Sequence, residues 1–443
     1  MDNGPLAEGP LANRPPTASA SAMEHYQKTT LPNGISVVTE VIPTLDSVSI
    51  GIWIMTGSRD EGAGERGLSH FIEHLLFKGT ERRSAFDISR EIESVGGSIN
   101  AFTGKEYTCF HAKVLTRDTT LAVDILTDIV ANSVFDPQEI ERERMVVLQE
   151  IKMVEDTPDD YIHDLFHYSF WGDHPLGYPI TGVQEDVLSL KREEIIAFLQ
   201  RKYTPDRLIV AAAGDLDHGK MVELVEAQLG GLQPHTSGLH REGTHGGKFR
   251  KQVTYRELEQ IHFCLGTEGI PYAHPLRYAG YALNILLGGN MSSRLFQEVR
   301  EKRGLTYSIY SFLNTYMDTG LFGVYAGTTK TEIHEVIDLI LQELQAIREG
   351  RIRAEDLAAA KEYLRGSTIL SLEGSEGRMG RLAKDEICFG RHIPLEEVLG
   401  ALEGVSKDAV AEVAHEMFAS HPLCITLLGT IEESELPWKE LDF

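Results

Sequence analysis

The stretch Gly67-LSHFIEHLLFKG-Thr80 contains the pattern His-x-x-Glu-His, formed by His70, Glu73 and His74. On an α-helix, residues at positions i, i+3 and i+4 share one face. The flanking leucine, isoleucine and phenylalanine residues make this helix apolar, and unpaired histidine or glutamate side chains are costly to bury. A cation would supply a partner, and imidazole nitrogen suits Zn²⁺. The pattern predicts a zinc site with a carboxylate beside it; the alternative is a helix with two ordinary histidines.

A third protein ligand is expected, because a catalytic zinc ion usually has three. The stretch Asp136-PQEIERERMVVLQEIKMV-Glu155 predicts a helix with Asp136 as N-cap and Pro137 in the first turn. Glu143 and Glu150 lie seven residues apart, two turns along one face of this helix. The helix is rich in charge, so a solvated side chain explains any single glutamate, and spacing alone does not select Glu150.

Taken together, the motif on the first helix and Glu150 about 75 residues later resemble the pitrilysin family of zinc peptidases. The resemblance is to the two-domain subgroup, which includes the catalytic subunit of mitochondrial processing peptidase and its bacterial counterparts. It implies that His70, His74 and Glu150 bind one Zn²⁺ per chain. It further implies that Glu73 is the general base of peptide hydrolysis and that Glu143 is a supporting carboxylate.

The stretch from residue 96 to residue 114 alternates like a strand after a glycine turn. It resembles the family's edge strand, in which Asn100 and Ala101 would hold the substrate backbone by strand addition. Without the resemblance, an ordinary strand explains these residues better. Phe77 matches the family's apolar pocket residue and would favour a large apolar side chain just after the cut; a core phenylalanine is the alternative.

A further segment, from residue 288 to residue 310, resembles the second half of the family. Arg300 and Tyr307 lie seven residues apart there, as the family's substrate-binding pair does. The resemblance implies that Arg300 anchors a peptide carbonyl and that Tyr307 stabilises the oxyanion of the tetrahedral intermediate. Taken alone, the segment is a charged helix end that stops at Gly304.

The charge of the chain bears on its substrates. A formal net charge of -25 makes nucleic acid an improbable partner. Negative potential in a closed chamber would attract cationic peptides. Asp160 and Asp164 match acidic residues with which the processing peptidase grips an arginine two residues before the cut. The alternative is a helix N-terminus enriched in acidic residues after Pro158.

An internal repeat suggests two similar domains. Aligning the helix that carries Glu143 and Glu150 with its counterpart in the second half places Ala360 and Ser367 opposite them. The segment of the second half that corresponds to the zinc helix has no histidine pair. The repeat therefore predicts that the two domains have the same fold and that only the first contains metal-binding residues.

The predicted fold class is α+β, with two homologous domains that form half of a clamshell. Each domain is expected to be a largely antiparallel β-sheet with helices packed on it. We predict four segments: a disordered tail at 1–22, a catalytic zinc-binding domain at 23–232, a linker at 233–248 and a domain without metal at 249–443. The last of these contains Arg300 and Tyr307.

Composition supports a soluble globular protein, with 42% hydrophobic and 25% charged residues. No apolar run approaches the roughly 18 residues of a membrane span. Cys109, Cys264, Cys388 and Cys424 are scattered, which favours buried thiols in a reducing compartment. The first 22 residues lack the features of a signal or transit peptide. We therefore expect a cytoplasmic protein.

The sequence is compatible with two classes of function. The first is a zinc endopeptidase that hydrolyses short or unfolded polypeptides, some of them containing arginine, inside a closed chamber. The second is a non-catalytic structural or partner subunit of a processing-peptidase-like complex. The residues matched to the family's active members are all present, which favours the enzyme. A chain of this length supplies half of a chamber, so we expect a homodimer, or a heterodimer with a subunit that carries a glycine-rich loop.

Overall fold

A computed structural model describes residues 25–233, 241, 250–419 and 423–436 of the chain. The predicted tail at 1–22 and nearly all of the predicted linker lie outside the described residues. The strands are β1 (Tyr26–Thr30), β2 (Ser36–Val41), β3 (Ser47–Ile54), β4 (Ser98–Thr103), β5 (Thr108–Leu115), β6 (Leu208–Gly214), β7 (Arg250–Tyr255), β8 (Ile261–Gly269), β9 (Thr306–Thr315), β10 (Gly320–Thr328) and β11 (Cys424–Gly429).

Helices account for most of the remaining described structure. They are α1 (Leu68–Leu76), α2 (Ala85–Ser94), α3 (Thr119–Asn132), α4 (Pro137–Glu155), α5 (Pro158–Trp171), α6 (Gln184–Ser189), α7 (Arg192–Lys202), α8 (His218–Leu229), α9 (Arg277–Leu287), α10 (Ile333–Arg348), α11 (Ala354–Ser371), α12 (Ser375–Phe389), α13 (Leu395–Glu403) and α14 (Lys407–Ala419). None of the described helices has the length and apolar character needed to cross a lipid bilayer.

The strands form two mixed, largely antiparallel sheets that share one topology. The first has the order β1-β2-β6-β3-β5-β4, and the second has the order β7-β11-β8-β10-β9. In each sheet one pair is parallel, β2 with β6 and β7 with β11. The second sheet therefore repeats the last five strands of the first, which confirms the prediction of two similar domains. The strand β4 lies at the open edge of the first sheet, and β9 occupies the equivalent edge of the second.

On one face, each sheet packs against helices of its own half of the chain. On the opposite face, it packs against a helix from the other half. The helix α5 buries Phe166 and Phe170 against the second sheet. The helix α12 buries Met379 and Leu382 against the first sheet, where Trp53 Nε1 donates to Met379 Sδ at 3.3 Å. The halves thus exchange helices, and burial of these apolar side chains holds the two sheets together.

A buried ion cluster links the halves beside the turn between β4 and β5. The Arg59 guanidinium contacts Glu106 at 2.7 Å and forms a bidentate pair with Asp318 at 2.6 and 2.8 Å. Arg241 contacts Asp60 at 2.8 Å in the same region. Paired, hydrogen-bonded charges of this kind hold a fixed geometry. The cluster therefore anchors the turn at the end of the open edge strand.

Candidate zinc site

The N-terminus of α1 is held by a buried carboxylate. Gly67 is the N-cap, with a left-handed φ of 86°, and it has no side chain with which to cap the helix. Instead, Glu61 accepts the backbone N–H groups of Gly67 at 2.8 Å and Ser69 at 2.7 Å. Burial raises the pKa of Glu61 to about 8, and the two N–H donors act in the opposite direction. Glu61 thereby satisfies donors that would otherwise be orphaned at the start of the helix.

Beyond this cap, α1 and α4 bring the three predicted ligands together. The donor atoms of His70, His74 and Glu150 all lie within 4.8 Å of one another. Oε2 of Glu150 lies 3.6 Å from Nε2 of His70 and 3.5 Å from Nε2 of His74. Tetrahedral zinc ligands about 2.0–2.1 Å from the ion lie roughly 3.3 Å apart, so the donor set and its spacing fit Zn²⁺. Burial, and then the neighbouring His74, lower the pKa of His70 to about 4, which keeps the ring neutral and able to bind metal.

The second nitrogen of His74 has a carboxylate partner. Nδ1 of His74 lies 3.1 Å from Oε2 of the buried Glu143. Oε1 of Glu143 lies 2.7 Å from the Lys78 ammonium, so this carboxylate contacts both His74 and a cation. An ionised carboxylate accepts, so Nδ1 carries the proton and Nε2 is free to face the other two ligands. Such partners fix the tautomer and the orientation of a metal-binding imidazole.

Glu73 lies outside the set of three and contacts the open edge strand. The hydroxyl of Thr103, the last residue of β4, donates to Oε2 of Glu73 at 2.5 Å. Burial raises the pKa of Glu73; the hydrogen bond from Thr103 and the charge of His74 act against this, and Glu150 reinforces it. A half-buried carboxylate beside the ligand set is suited to accept and return a proton.

The predicted substrate strand is β4, and it lies at the sheet edge. It pairs with β5 on one side, and no strand in the described part of the chain pairs with its other side. The backbone N–H of Ala101 donates to Oδ1 of the neighbouring Asn100 at 2.8 Å. A strand edge without a partner strand can receive a further strand, which would replace such a contact.

Phe77 lies at the C-terminal end of α1 and is half-buried. Its ring centroid is 6.0 Å from that of Phe110, a core residue on β5. The side chain therefore contacts the core and also keeps part of its surface accessible.

The two candidate arginine-binding residues share a cavity of about 590 Å³ beside the turn after β4. Asp160 is exposed and Asp164 is half-buried on α5. Burial raises the pKa of Asp164 to about 6, opposed by Lys105 and reinforced by Asp160. Burial also lowers the pKa of Lys105 to about 8, and its ammonium donates to the backbone oxygen of Tyr178. Lys105 is thus a competing cation that the sequence pattern did not reveal.

Arg300 and Tyr307 contact each other in the second half of the chain. Arg300 stacks over the rings of Phe296 and Tyr307, at 4.5 and 5.4 Å from their centroids. Tyr307 is 79% exposed near the start of β9. Asn314, which lines the cavity beside the β4–β5 turn, is seven residues further along this strand. Seven residues span about 23 Å at about 3.3 Å each, so Tyr307 and Asn314 lie near opposite ends of this strand.

Three supporting residues were missed by sequence reasoning. Lys78 follows His74 by four residues, and residues at this spacing are neighbours on a helix, so the sequence could have indicated Lys78. Glu61 and Thr103 carry no such signal, because each meets α1 through a loop or a strand that is distant in sequence.

Comparisons with known proteins agree with this picture. The model of the insulinase family (Peptidase family M16) matches residues 36–184, and that of the peptidase M16 inactive domain matches residues 189–364. An uncharacterized zinc protease of Streptomyces coelicolor is 40% identical over 417 residues, covering 92% of this chain and 90% of the relative. One from Bacillus subtilis is 40% identical over 391 residues, covering 88% of this chain and 95% of the relative.

Solved structures show the same fold. A protease from Helicobacter pylori has a TM-score of 0.86 at 23% identity, covering 91% of this chain and 99% of that one. A peptidase M16 inactive domain from Pseudomonas fluorescens also has a TM-score of 0.86, at 18% identity, covering 94% of this chain and 100% of that one.

Sequence and fold together define a two-domain member of a zinc protease family. The chain belongs to the insulinase, or M16, family of peptidases, and its cofactor is Zn²⁺. The predicted family, fold class and cofactor are therefore confirmed. The alternative of a non-catalytic subunit is not favoured.

Proposed function

We propose that the protein is a zinc-dependent endopeptidase that binds short or unfolded polypeptides as an added strand along β4. The hydrogen bond between Thr103 and Glu73 carries this proposal, because it joins the predicted base to the open edge strand. A peptide paired with that edge would extend past the carboxylate and the three ligand side chains. Strand addition holds the backbone without reading each side chain, which suits varied peptides.

The residues then have distinct roles. His70, His74 and Glu150 hold the ion, which supplies a Lewis acid that makes water easier to deprotonate and polarises a carbonyl. Glu73 accepts the proton of the attacking water and returns it to the amine that leaves. Glu143 fixes the ring of His74 through the contact at Nδ1.

We further propose that two chains form the working chamber. Tyr307 is exposed and lies near the end of β9 opposite to Asn314, which lines the cavity beside the β4–β5 turn, and this favours an oxyanion role for Tyr307 in the site of another chain. A second copy that presents β9 to the zinc site would supply both Tyr307 and Arg300. A different subunit with a glycine-rich loop is the other candidate partner.

Substrate preference is proposed on two sides of the cut. Phe77 has an accessible part of its ring near the end of α1 and would contact an apolar side chain after the cut. Asp160 and Asp164 line one cavity and would accept an arginine guanidinium, in competition with Lys105.

The decisive experiment combines zinc analysis with hydrolysis of quenched fluorescent peptides. Wild type is expected to carry about one zinc ion per chain, to lose activity with a chelator and to regain it with zinc. Glu73→Gln is expected to keep the zinc and lose turnover, because Glu73 is a base and not a ligand. Glu81→Gln, an exposed position on the loop after α1, is the control for the charge change. Loss of metal in Glu73→Gln, or full activity without zinc, would refute the assignment.

A further inference from the structure

A second cavity lies on the face of the first sheet opposite to α1. It has a volume of about 600 Å³. Trp53 and Phe102 line it from the first sheet, and Tyr272 and Met379 line it from the second half of the chain. The helix α12 packs on β2, β6 and β3, so the same face of β5 and β4 is left for the cavity. This cavity therefore adjoins the open edge at which a peptide strand is proposed to bind.

The side chains of β4 alternate between the two faces. Ile99 and Ala101 pack against the core beneath α1. Phe102 has the opposite orientation, with its ring centroid 5.4 Å from that of Trp53 and 6.3 Å from that of Tyr107. Phe102 is nevertheless 40% exposed. The Phe102 ring lines the second cavity.

A strand added to β4 must alternate in the same way, because successive side chains of a strand point to opposite faces. If one peptide residue faces α1 and Phe77, its two neighbours in sequence face the second cavity. Trp53 Nε1 already donates to Met379 Sδ, so the indole needs no polar partner from the peptide. The Glu376 carboxylate is 59% exposed and lies 3.8 Å from Nδ1 of His111. The polar and charged side chains that line the cavity are those of His111, Thr368, Ser371, Glu376, Arg381 and Lys384.

We propose that this cavity is a side-chain subsite, formed jointly by the two halves of one chain, for a large apolar or aromatic peptide residue. The residue it takes is adjacent in sequence to the residue that faces Phe77. The proposal rests on the proposed strand addition at β4. It extends the substrate class to peptides with large apolar side chains at neighbouring positions, which are accepted on opposite faces of the sheet.

Gly380 on α12 offers a way to fill the cavity without disturbing β4. A Cβ atom built there would have Trp53 Cζ2 as its nearest neighbour, at 4.0 Å. Leucine at this position would therefore extend into the cavity without displacing backbone. Gly366 on α11 is a matched control, because a Cβ there meets nothing within 4 Å and Gly366 does not line the cavity. Both substitutions replace a helical glycine and have the same effect on helix propensity.

Binding is measured in the Glu73→Gln background, which is expected to hold peptides without cleaving them. The probes are short labelled peptides in which each position in turn is alanine or phenylalanine, and the readout is Kd by fluorescence anisotropy. At one position, phenylalanine is expected to bind about 10-fold more tightly than alanine. Gly380→Leu should reduce this ratio towards one, whereas Gly366→Leu should preserve it. Phe77→Ala should affect the preference at an adjacent position instead.

Each outcome bears on the assignment. If the preference survives in Gly380→Leu, or if Phe77→Ala and Gly380→Leu act on the same position, the subsite is wrong while strand binding stands. If no peptide binds at all, the subsite and the proposed function fail together. If the predicted ratios appear but zinc-loaded wild type does not hydrolyse the same peptides, the subsite holds and the peptidase mechanism fails.

Discussion

The hydroxyl of Thr103 lies 2.5 Å from Oε2 of Glu73 and joins the last residue of β4 to the carboxylate between the two histidines of α1. The pair spans 30 residues of sequence. It determines where a strand bound along the sheet edge would meet the predicted base. Substitutions at Thr103 and at the other residues that contact the predicted base and ligands test their roles separately.

Thr103→Val removes the hydrogen-bond donor and keeps the shape of the side chain. We expect kcat/KM to fall about 10-fold, because a hydrogen bond to a charged group contributes roughly that factor. Zinc content should stay at the wild-type level. Thr103→Ser keeps the hydroxyl and should retain most of the activity. Equal losses in the two variants would assign the effect to packing.

Glu143→Gln keeps an acceptor for Nδ1 of His74 but removes the charge that Lys78 pairs with. We expect zinc affinity to fall about 10- to 100-fold, since partners of metal-binding histidines typically contribute this much. Competition with a chromophoric chelator measures the change. Glu141→Gln is the control, because its side chain is 68% exposed on the same helix. An unchanged affinity in Glu143→Gln would contradict the role.

Glu61→Ala leaves two N–H groups at the start of α1 without their acceptor. Unsatisfied buried donors cost about 1–3 kcal/mol each, so we expect a lower Tm and weaker zinc binding together. Glu61→Gln keeps one acceptor oxygen and should lie between alanine and wild type. Glu65→Gln is the matched control, as Glu65 caps the nearby Gly62 in the same loop. A lower Tm with unchanged zinc affinity would limit Glu61 to folding.

Mixing Glu73→Gln with Tyr307→Phe tests whether the site is built from two chains. In a mixed dimer, one of the two sites would contain both native residues. Random exchange should therefore restore about a quarter of wild-type activity. Light scattering should give a mass near twice 49.3 kDa. If chains carrying different tags exchange but activity does not return, Tyr307 does not act across a dimer.

Replacing Asp160 and Asp164 with asparagine should lower kcat/KM for arginine-containing peptides by about 10-fold. Peptides with an apolar residue at that position should be nearly unaffected. The loss should shrink with salt, because partly exposed charges are screened. Equal losses for both classes of peptide would mean that the two aspartates stabilise the helix and do not bind the arginine side chain of the substrate.

The same pair predicts a pH dependence. Burial raises the pKa of Asp164 to about 6; Lys105 opposes this shift and Asp160 reinforces it. A raised carboxyl pKa means that Asp164 gains a proton as the pH falls from 7 to 5. We therefore expect the preference for arginine over an apolar residue to weaken over that range. In the double asparagine variant the preference should not change with pH, and a persistent change would assign the titration elsewhere.

The sequence by itself determined the elements that carry the predicted ligands. Helical spacing placed His70, Glu73 and His74 on one face, and it placed Glu143 and Glu150 on one face of the next candidate helix. These patterns depend on residues within two helical turns, so they can be seen without a fold. The internal repeat likewise predicted two similar domains, which the matching sheet topologies confirm.

Only the tertiary structure decided what each of these groups meets. Spacing could not choose between Glu143 and Glu150, because the choice depends on how α4 crosses α1: Glu143 meets Nδ1 of His74, while Glu150 lies near both Nε2 atoms. The cap by Glu61, the exchange of α5 and α12 between the sheets, and the cavity beside Phe102 likewise join residues far apart in sequence. Such contacts arise from packing apolar faces together, and local periodicity contains no information on which faces will meet.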